Sequence, residues 1–335
     1  MRHNLVVCAA LGLSLSANTQ AAPLPVAVDI APLHSLVSQV MEGTGKPTLL
    51  IPAEASPHDY TLRPSEVKAL ANSKVVFWIG KNFTPWLEKT LDNVANSAQK
   101  VEMLEIEGTT TYTFREGATF ESHDHGEEEN HGNEEHHKNE NHQKEKHTSH
   151  NDHKKDGHHD AHHHEGEDPH AWLDPENAKL WVSSIRDILS KQNPENASIY
   201  SRNAAQATAS LDALIKSTRT QINDMGKLQF IVFHDAYQYF EKRFGILAAG
   251  SIALGDAEDP SPARMKEIRD TVKKLGVTCV FTEPQYNPGL VRNVFEGTSV
   301  VTIGVMDPLG ADISPGSGHY KELIQGMTKS LSQCK

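Results

Sequence analysis

From Glu121 to Glu167 the chain contains almost nothing but His, Asp, Glu, Lys, Asn and Gly, and no Val, Ile, Leu, Phe or Trp. Such a stretch cannot bury enough apolar surface to offset the entropy of ordering it, so it is expected to be a disordered, solvated insertion. With 15 acidic residues against 5 lysines over 121–168, it carries −10 of the chain's formal −12. The acidity belongs to the insertion, and nothing in the nearly neutral remainder marks a nucleic-acid surface.

Of the 20 histidines, 14 fall in the same stretch. Imidazole and carboxylate at this density are ligands of borderline divalent metals, and neutral imidazole suits zinc, copper and nickel. Spacings such as His136-His137, His158-His159 and His162-His163-His164 define no single closed tetrahedral site. They predict many weak, interchangeable ones that collect metal; a plain polar spacer would need no histidine. Directly after the run, Asp168-Pro169-His170-Ala171-Trp172-Leu173-Asp174-Pro175 returns to apolar, proline-punctuated sequence.

The first residues read as a secretory signal: Arg2 and His3, an apolar run from Leu5 to Leu15, then small residues up to a cleavage site near Ala21 or Ala22. The apolar run is too short to span a bilayer. Cys8 lies inside it, so Cys279 and Cys334 remain, and two cysteines in an exported chain are expected to pair. The competing reading makes them thiolate metal ligands, but they have no CxxC spacing. Without signal and insertion about 265 residues remain, enough for two domains.

Short apolar runs then alternate with amphipathic ones. Strands are predicted at Val26–Ile30, Thr48–Ile51, Val75–Gly80 and Val101–Glu105, with helices at Leu33–Met41, Pro64–Ala71 and Pro85–Ala95 between them. After the insertion Pro175 opens a helix to about Lys191, and Pro194 starts a rod from Ala197 to about Asn223, long enough to join two lobes. Beyond it come strand 230–233, helix 237–244, strand 246–252 and helix 263–275, the last capped by Ser261 and stopped by Gly276. Strand 277–282, helix 288–295, strand 299–305 and helix 320–331 complete the chain. The pattern is α/β, two similar halves with mostly parallel sheets. The expected division is a signal at 1–22, an N-terminal lobe at 23–192 carrying the insertion 121–167, a linker helix at 193–225 and a C-terminal lobe at 226–335.

In open parallel sheets ligands bind outside the carboxyl ends of the strands. His58 follows the second strand through a proline-bounded loop, His234 follows the strand 230–233 directly, and Asp307 follows the strand 299–305. His170 joins them from the loop before a helix. Each alone is a weak signal; together they offer three neutral imidazoles and a carboxylate, a tetrahedral set suited to Zn²⁺. Asp59, Glu283 and Asp235 are candidates to accept from the ligand rings. His34 and His319 read as packing and helix entry. Phe77, Trp78, Trp86 and Trp172 read as packing too, with Trp78 or Trp172 as an alternative roof for the cleft. No HExxH or Ser-His-Asp arrangement appears, so no enzyme is expected.

The segments SPHDYTLRPSEV (56–67), DPHAWLDPENA (168–178), FHDAYQYFEKRFG (233–245), TEPQYNP (282–288) and MDPLGAD (306–312) resemble those of the metal-binding (cluster A-I) periplasmic solute-binding proteins of ABC importers. The likeness is greatest to their zinc-uptake branch in Gram-negative bacteria and runs along essentially the whole mature chain. It implies two lobes bridged by one long rigid helix, with metal held between them by His58, His170 and His234. Manganese-binding relatives carry Glu where this chain has His234, which favours zinc. The position matching Asp307 is a ligand in some relatives, while in others a water or the residue before the first His completes the shell. Here that residue is Pro57, so Asp307 or water is expected. The pair Cys279 and Cys334 and the charged histidine loop match features of the same branch. The resemblance further implies a periplasmic monomer with Zn²⁺ as cargo and a membrane permease with its ATPase as partners. A zinc buffer or adhesin without transport is the alternative.

Overall fold

A computed structural model of the chain describes residues 23–115, 120, 166–253, 261–284, 289 and 294–334. The predicted signal, nearly all of the histidine run and most of the helix predicted over 288–295 lie outside the described residues.

The first half lays down β1 (Val26–Val28), α1 (Ala31–Met41), β2 (Thr48–Leu49), α2 (Pro64–Asn72), β3 (Val75–Trp78), α3 (Pro85–Val94) and β4 (Gln99–Glu102). All four strands are parallel, in the order β2-β1-β3-β4. β1 and β3 are buried on both faces, which is why they read as unbroken apolar runs rather than as alternating ones. A short 3₁₀ turn at Ala171–Leu173 leads into α4 (Pro175–Gln192), whose first turn is capped by Asp174 accepting from the Glu176 amide.

α5 (Ala197–Met225) is the rod, 29 residues long. Tyr200, Ala204, Ala207, Leu211, Leu214, Thr218 and Ile222 recur at three and four along it and form its buried face. That face packs on α1, α4 and the last helix, so the rod lies against both halves.

The second half repeats the plan with β5 (Phe230–Val232), α6 (Gln238–Phe244), β6 (Gly250–Ser251), α7 (Pro262–Leu275), β7 (Cys279–Thr282), β8 (Thr302–Val305) and α8 (His319–Leu331). Its sheet is again parallel, in the order β6-β5-β7-β8, the same order as the first. Ser261 accepts from the Arg264 amide at the start of α7, and Gly276 ends that helix at φ +63°. The strand expected over 246–252 shrinks to Gly250–Ser251, the residues before it being tied back to α6: the Ile246 amide donates to Glu241 O at 3.1 Å and the Ala248 amide to the Glu241 side chain at 3.0 Å. Cys279 on β7 and Cys334 just past α8 form the disulfide, closing a separation of 55 residues. On the chain-entropy account such a closure is worth about 4 kcal/mol.

One continuous apolar cluster runs from β1 through α4 and α5 to Phe230, Phe281 and α8. The halves are also tied by polar contacts: Trp172 Nε1 donates to Pro308 O at 2.9 Å, and Tyr320 Oη to Trp172 O at 2.7 Å. Arg243 meets the buried carboxylate of Asp174 through two hydrogen bonds of 2.6 Å. A shared core and paired polar ties oppose any wide hinge opening. Among the described residues no helix is long and apolar enough to cross a membrane.

Candidate metal centre

Each sheet has one seam where the chain reverses its direction of travel across the strands, between β1 and β3 and between β5 and β7. At the first seam Asp29, next after β1, is fully buried and accepts from the amides of Ile30 and Ile79, both at 2.7 Å. Burial pushes its carboxyl up to about 7, against those two hydrogen bonds, which lower it. At the second seam stand His234 and Glu283, with His234 Nδ1 2.6 Å from Glu283 Oε1. A carboxylate only accepts, so Nδ1 carries the proton and the lone pair of the ring is on Nε2.

His170 is held in the same way from the first half. Its Nδ1 is 2.7 Å from Asp168 Oδ1, and its backbone amide donates to the same oxygen at 3.0 Å. Asp168 is buried, and its other oxygen accepts from Gln238 Nε2 at 3.1 Å. His58 sits on the loop between β2 and α2. Trp86 Nε1 donates to the carbonyl of the preceding Pro57 at 2.8 Å, and the edge of the Phe83 ring meets His58 at a centroid distance of 4.8 Å.

The three rings line one cavity, together with Ser56, Pro57, Phe83, Trp172, Glu283, Pro308 and Leu309. Its volume is about 20 Å³, the size of a single ion or water. Ring centroids are 5.3 Å apart for His170 and His234, and 6.2 Å for His58 and His170. Imidazoles bound through nitrogen to a tetrahedral Zn²⁺ at 2.0–2.1 Å put their centroids about 5 Å apart. The first pair is at that spacing, and His58 stands about an ångström outside it. With His58 at that remove, among the described residues no group of three or more His, Cys, Asp or Glu is placed to hold a metal ion.

Asp307 is not in the lining. Its Oδ1 accepts from the Leu309 amide at 2.9 Å and its Oδ2 from the Ala311 amide, so the carboxylate braces the turn that presents Pro308 and Leu309. The turn also needs Gly310, at φ +73°, where a Cβ would come within 2.8 Å of the His319 ring. His319 opens α8 and its Nε2 lies 2.7 Å from Leu309 O, in line with the helix-entry reading. His34 is buried with Nε2 3.1 Å from Pro47 O, and burial holds its pKa below the usual value. Of the three carboxylates expected to brace ligand rings, Glu283 does so. Asp59 is exposed, and Asp235 pairs with Arg115 instead. Trp172 lines the cavity while Trp78 is packed away. Asp168 and Asp29 were missed; the Asp-Pro-His spacing was the available signal for the first, and a lone Asp directly after an apolar strand for the second.

Two parallel α/β lobes with a one-ion cavity, lined by imidazoles from both, define a two-lobed, cleft-type binding protein. The family model for the zinc-uptake complex component A periplasmic (ZnuA) matches residues 26–334, and the chain belongs to that family. It is 47% identical over 309 residues to the high-affinity zinc uptake system protein ZnuA of Brucella abortus, covering 92% of this chain and 91% of the relative. With the protein of the same name from Paracoccus denitrificans it shares 40% over 331 residues, 99% of this chain and 97% of the relative. A crystal structure of ZnuA superimposes with a TM-score of 0.69 at 20% identity, covering 93% of this chain and 99% of the other. At that identity the superposition speaks for the fold alone.

Proposed function

We propose that this chain is the high-affinity zinc-binding periplasmic component of an ABC importer, which captures Zn²⁺ in the interlobe cavity and hands it to a membrane permease driven by an ATPase. The observation that carries the reading is the pair of braced imidazoles: His170 and His234 come from opposite lobes, each has Nδ1 on a carboxylate, and their rings have the spacing of zinc ligands. Carboxylate-bound Nδ1 fixes the tautomer, raises the basicity of Nε2 and aims it. His58 supplies the third nitrogen by drawing inward about an ångström on its loop.

The fourth position falls to Asp307 or to a water, and the hydrogen bonds already on both carboxylate oxygens favour water. In this reading zinc is cargo rather than a catalytic ion, and the small ring-lined cavity suits a single cation. It is proposed to work as a monomer divided near residues 192 and 225, with the linker helix between its lobes. The relatives named above are zinc uptake proteins, and their similarity along the whole chain supports zinc over other cations.

Growth tests the role. Deletion of the gene should abolish growth in zinc-chelated medium and addition of zinc should restore it, whereas a buffer or adhesin would leave growth in that medium intact. A plasmid copy with His234→Ala should fail to complement.

A further inference from the structure

The two ends of the histidine run leave the fold as a short antiparallel pair. Thr113 pairs with Glu167, the Phe114 amide donates to Gly166 O at 3.2 Å, and the Asp168 amide donates to Tyr112 O at 2.8 Å. One strand of this root therefore ends in the carboxylate that braces His170. The root lies on α6 of the opposite lobe: Gln238 Nε2 reaches both Thr113 O at 3.0 Å and Asp168 Oδ2 at 3.1 Å, and Tyr239 Oη donates to Asp168 O at 2.5 Å.

The other strand ends in Arg115. Its Nε lies 2.9 Å from one oxygen of Asp235 and 3.0 Å from the other, and Nη1 is 2.7 Å from Glu241 Oε2. Asp235 directly follows His234 in the chain. The side chains of the three are 14%, 8% and 1% exposed, so this is an enclosed ion cluster rather than a surface pair. The guanidinium is stacked 3.7 Å over the ring of Phe120, whose amide donates to Ala249 O at 3.1 Å. Burial opposes the charge on Arg115, but Glu241 and Asp235 outweigh it and hold its pKa well above the usual value.

From this geometry we infer that Arg115 is a positioning residue for the metal centre: it clasps the root of the histidine run to the C-terminal lobe and thereby fixes the distance between His170 and His234. The inference rests on the zinc reading of those two rings. Each ring is tied to the root within two residues, His170 through Asp168 and His234 through its neighbour Asp235. Arg115 stands one step beyond the groups bonded to the rings, whose loss costs about 10- to 100-fold in metal affinity, so its own loss is expected at the lower end of that range. The guanidinium fork suits the task because its planar, fixed donors meet both oxygens of Asp235 and reach Glu241 in one geometry, whereas an ammonium acts as a point charge on a flexible stem.

The test measures zinc release to a chelator by stopped flow, and thermal midpoint, on the full chain. Arg115→Ala should release zinc about tenfold faster, and Arg115→Lys by a smaller factor. Arg115→Ala leaves two enclosed carboxylates unpaired and can fail to fold. The deciding variant therefore combines Arg115→Met, Asp235→Asn and Glu241→Gln, which leaves no unpaired charge. It too should release zinc about tenfold faster than wild type. A purely structural role would lower the thermal midpoint and leave the release rate alone. Wild-type release from the triple variant overturns the inference. His234→Ala, run in parallel, separates the two levels: if it loses tight zinc while the triple variant releases normally, only the clasp falls, and if it keeps tight zinc, the zinc reading falls with it.

Discussion

Glu283 Oε1 lies 2.6 Å from Nδ1 of His234, across the seam between β5 and β7. Asp168 holds His170 in the same manner at 2.7 Å, so carboxylates from the two lobes orient the rings that face each other over the cavity. Glu283→Gln and Asp168→Asn should each weaken zinc binding by about tenfold with the fold retained. Replacing a ring itself, by His58→Ala, His170→Ala or His234→Ala, should cost more than the roughly 100-fold at which outer-shell changes stop. Competition titration against a chelator of known affinity measures both.

Asp307 separates two versions of the shell. With both oxygens bracing the Leu309 and Ala311 amides, Asp307→Asn should change zinc affinity by less than about tenfold, below the cost of a lost ligand, and should lower the thermal midpoint instead. A loss as large as that of His58→Ala would make Asp307 the fourth ligand.

The histidine run is expected to collect zinc loosely. Calorimetry on a chain lacking residues 121–165 should show fewer weak sites and one intact tight site. An unchanged number of sites would remove the collecting role.

Asp29 sets a pH dependence. Its carboxyl is pushed up to about 7 in the fold from an ordinary 3.8, so the folded state holds this proton more tightly than the unfolded one. Its contribution to stability is therefore complete below about pH 4 and is lost as pH rises through 7, a swing of about 4 kcal/mol. Between those limits the zinc-stripped wild type should lose stability relative to Asp29→Asn as pH rises. Parallel urea midpoints for the two would contradict this.

Much of this was readable in the residues, and the gaps have physical causes. The alternation of apolar runs with amphipathic ones fixed the order of strands and helices, and His58 and His234 stood out because each follows a strand. The rod was legible because its buried positions recur at three and four without a break from Tyr200 to Ile222. Asp29 and Arg115 were not, since their roles depend on partners far along the chain: Asp29 accepts from Ile79, and Arg115 pairs with Asp235 and Glu241, whereas Asp168 braces a ring only two residues on. A carboxylate that caps a loop and one that braces a ring look alike until the fold brings the ring near. The strand read over 246–252 came out short for a related reason, because the amides of Ile246 and Ala248 go back to Glu241 on the preceding helix.

The central claim is that imidazoles from both lobes converge on one cation. A crystal structure of the zinc-loaded chain, with anomalous diffraction recorded on both sides of the zinc edge, tests it directly. One strong peak in the interlobe cavity, bonded by Nε2 of His58, His170 and His234 at about 2.0–2.1 Å, is the predicted result. A tightly bound zinc elsewhere, or a cavity peak with those rings turned away from it, would contradict the account.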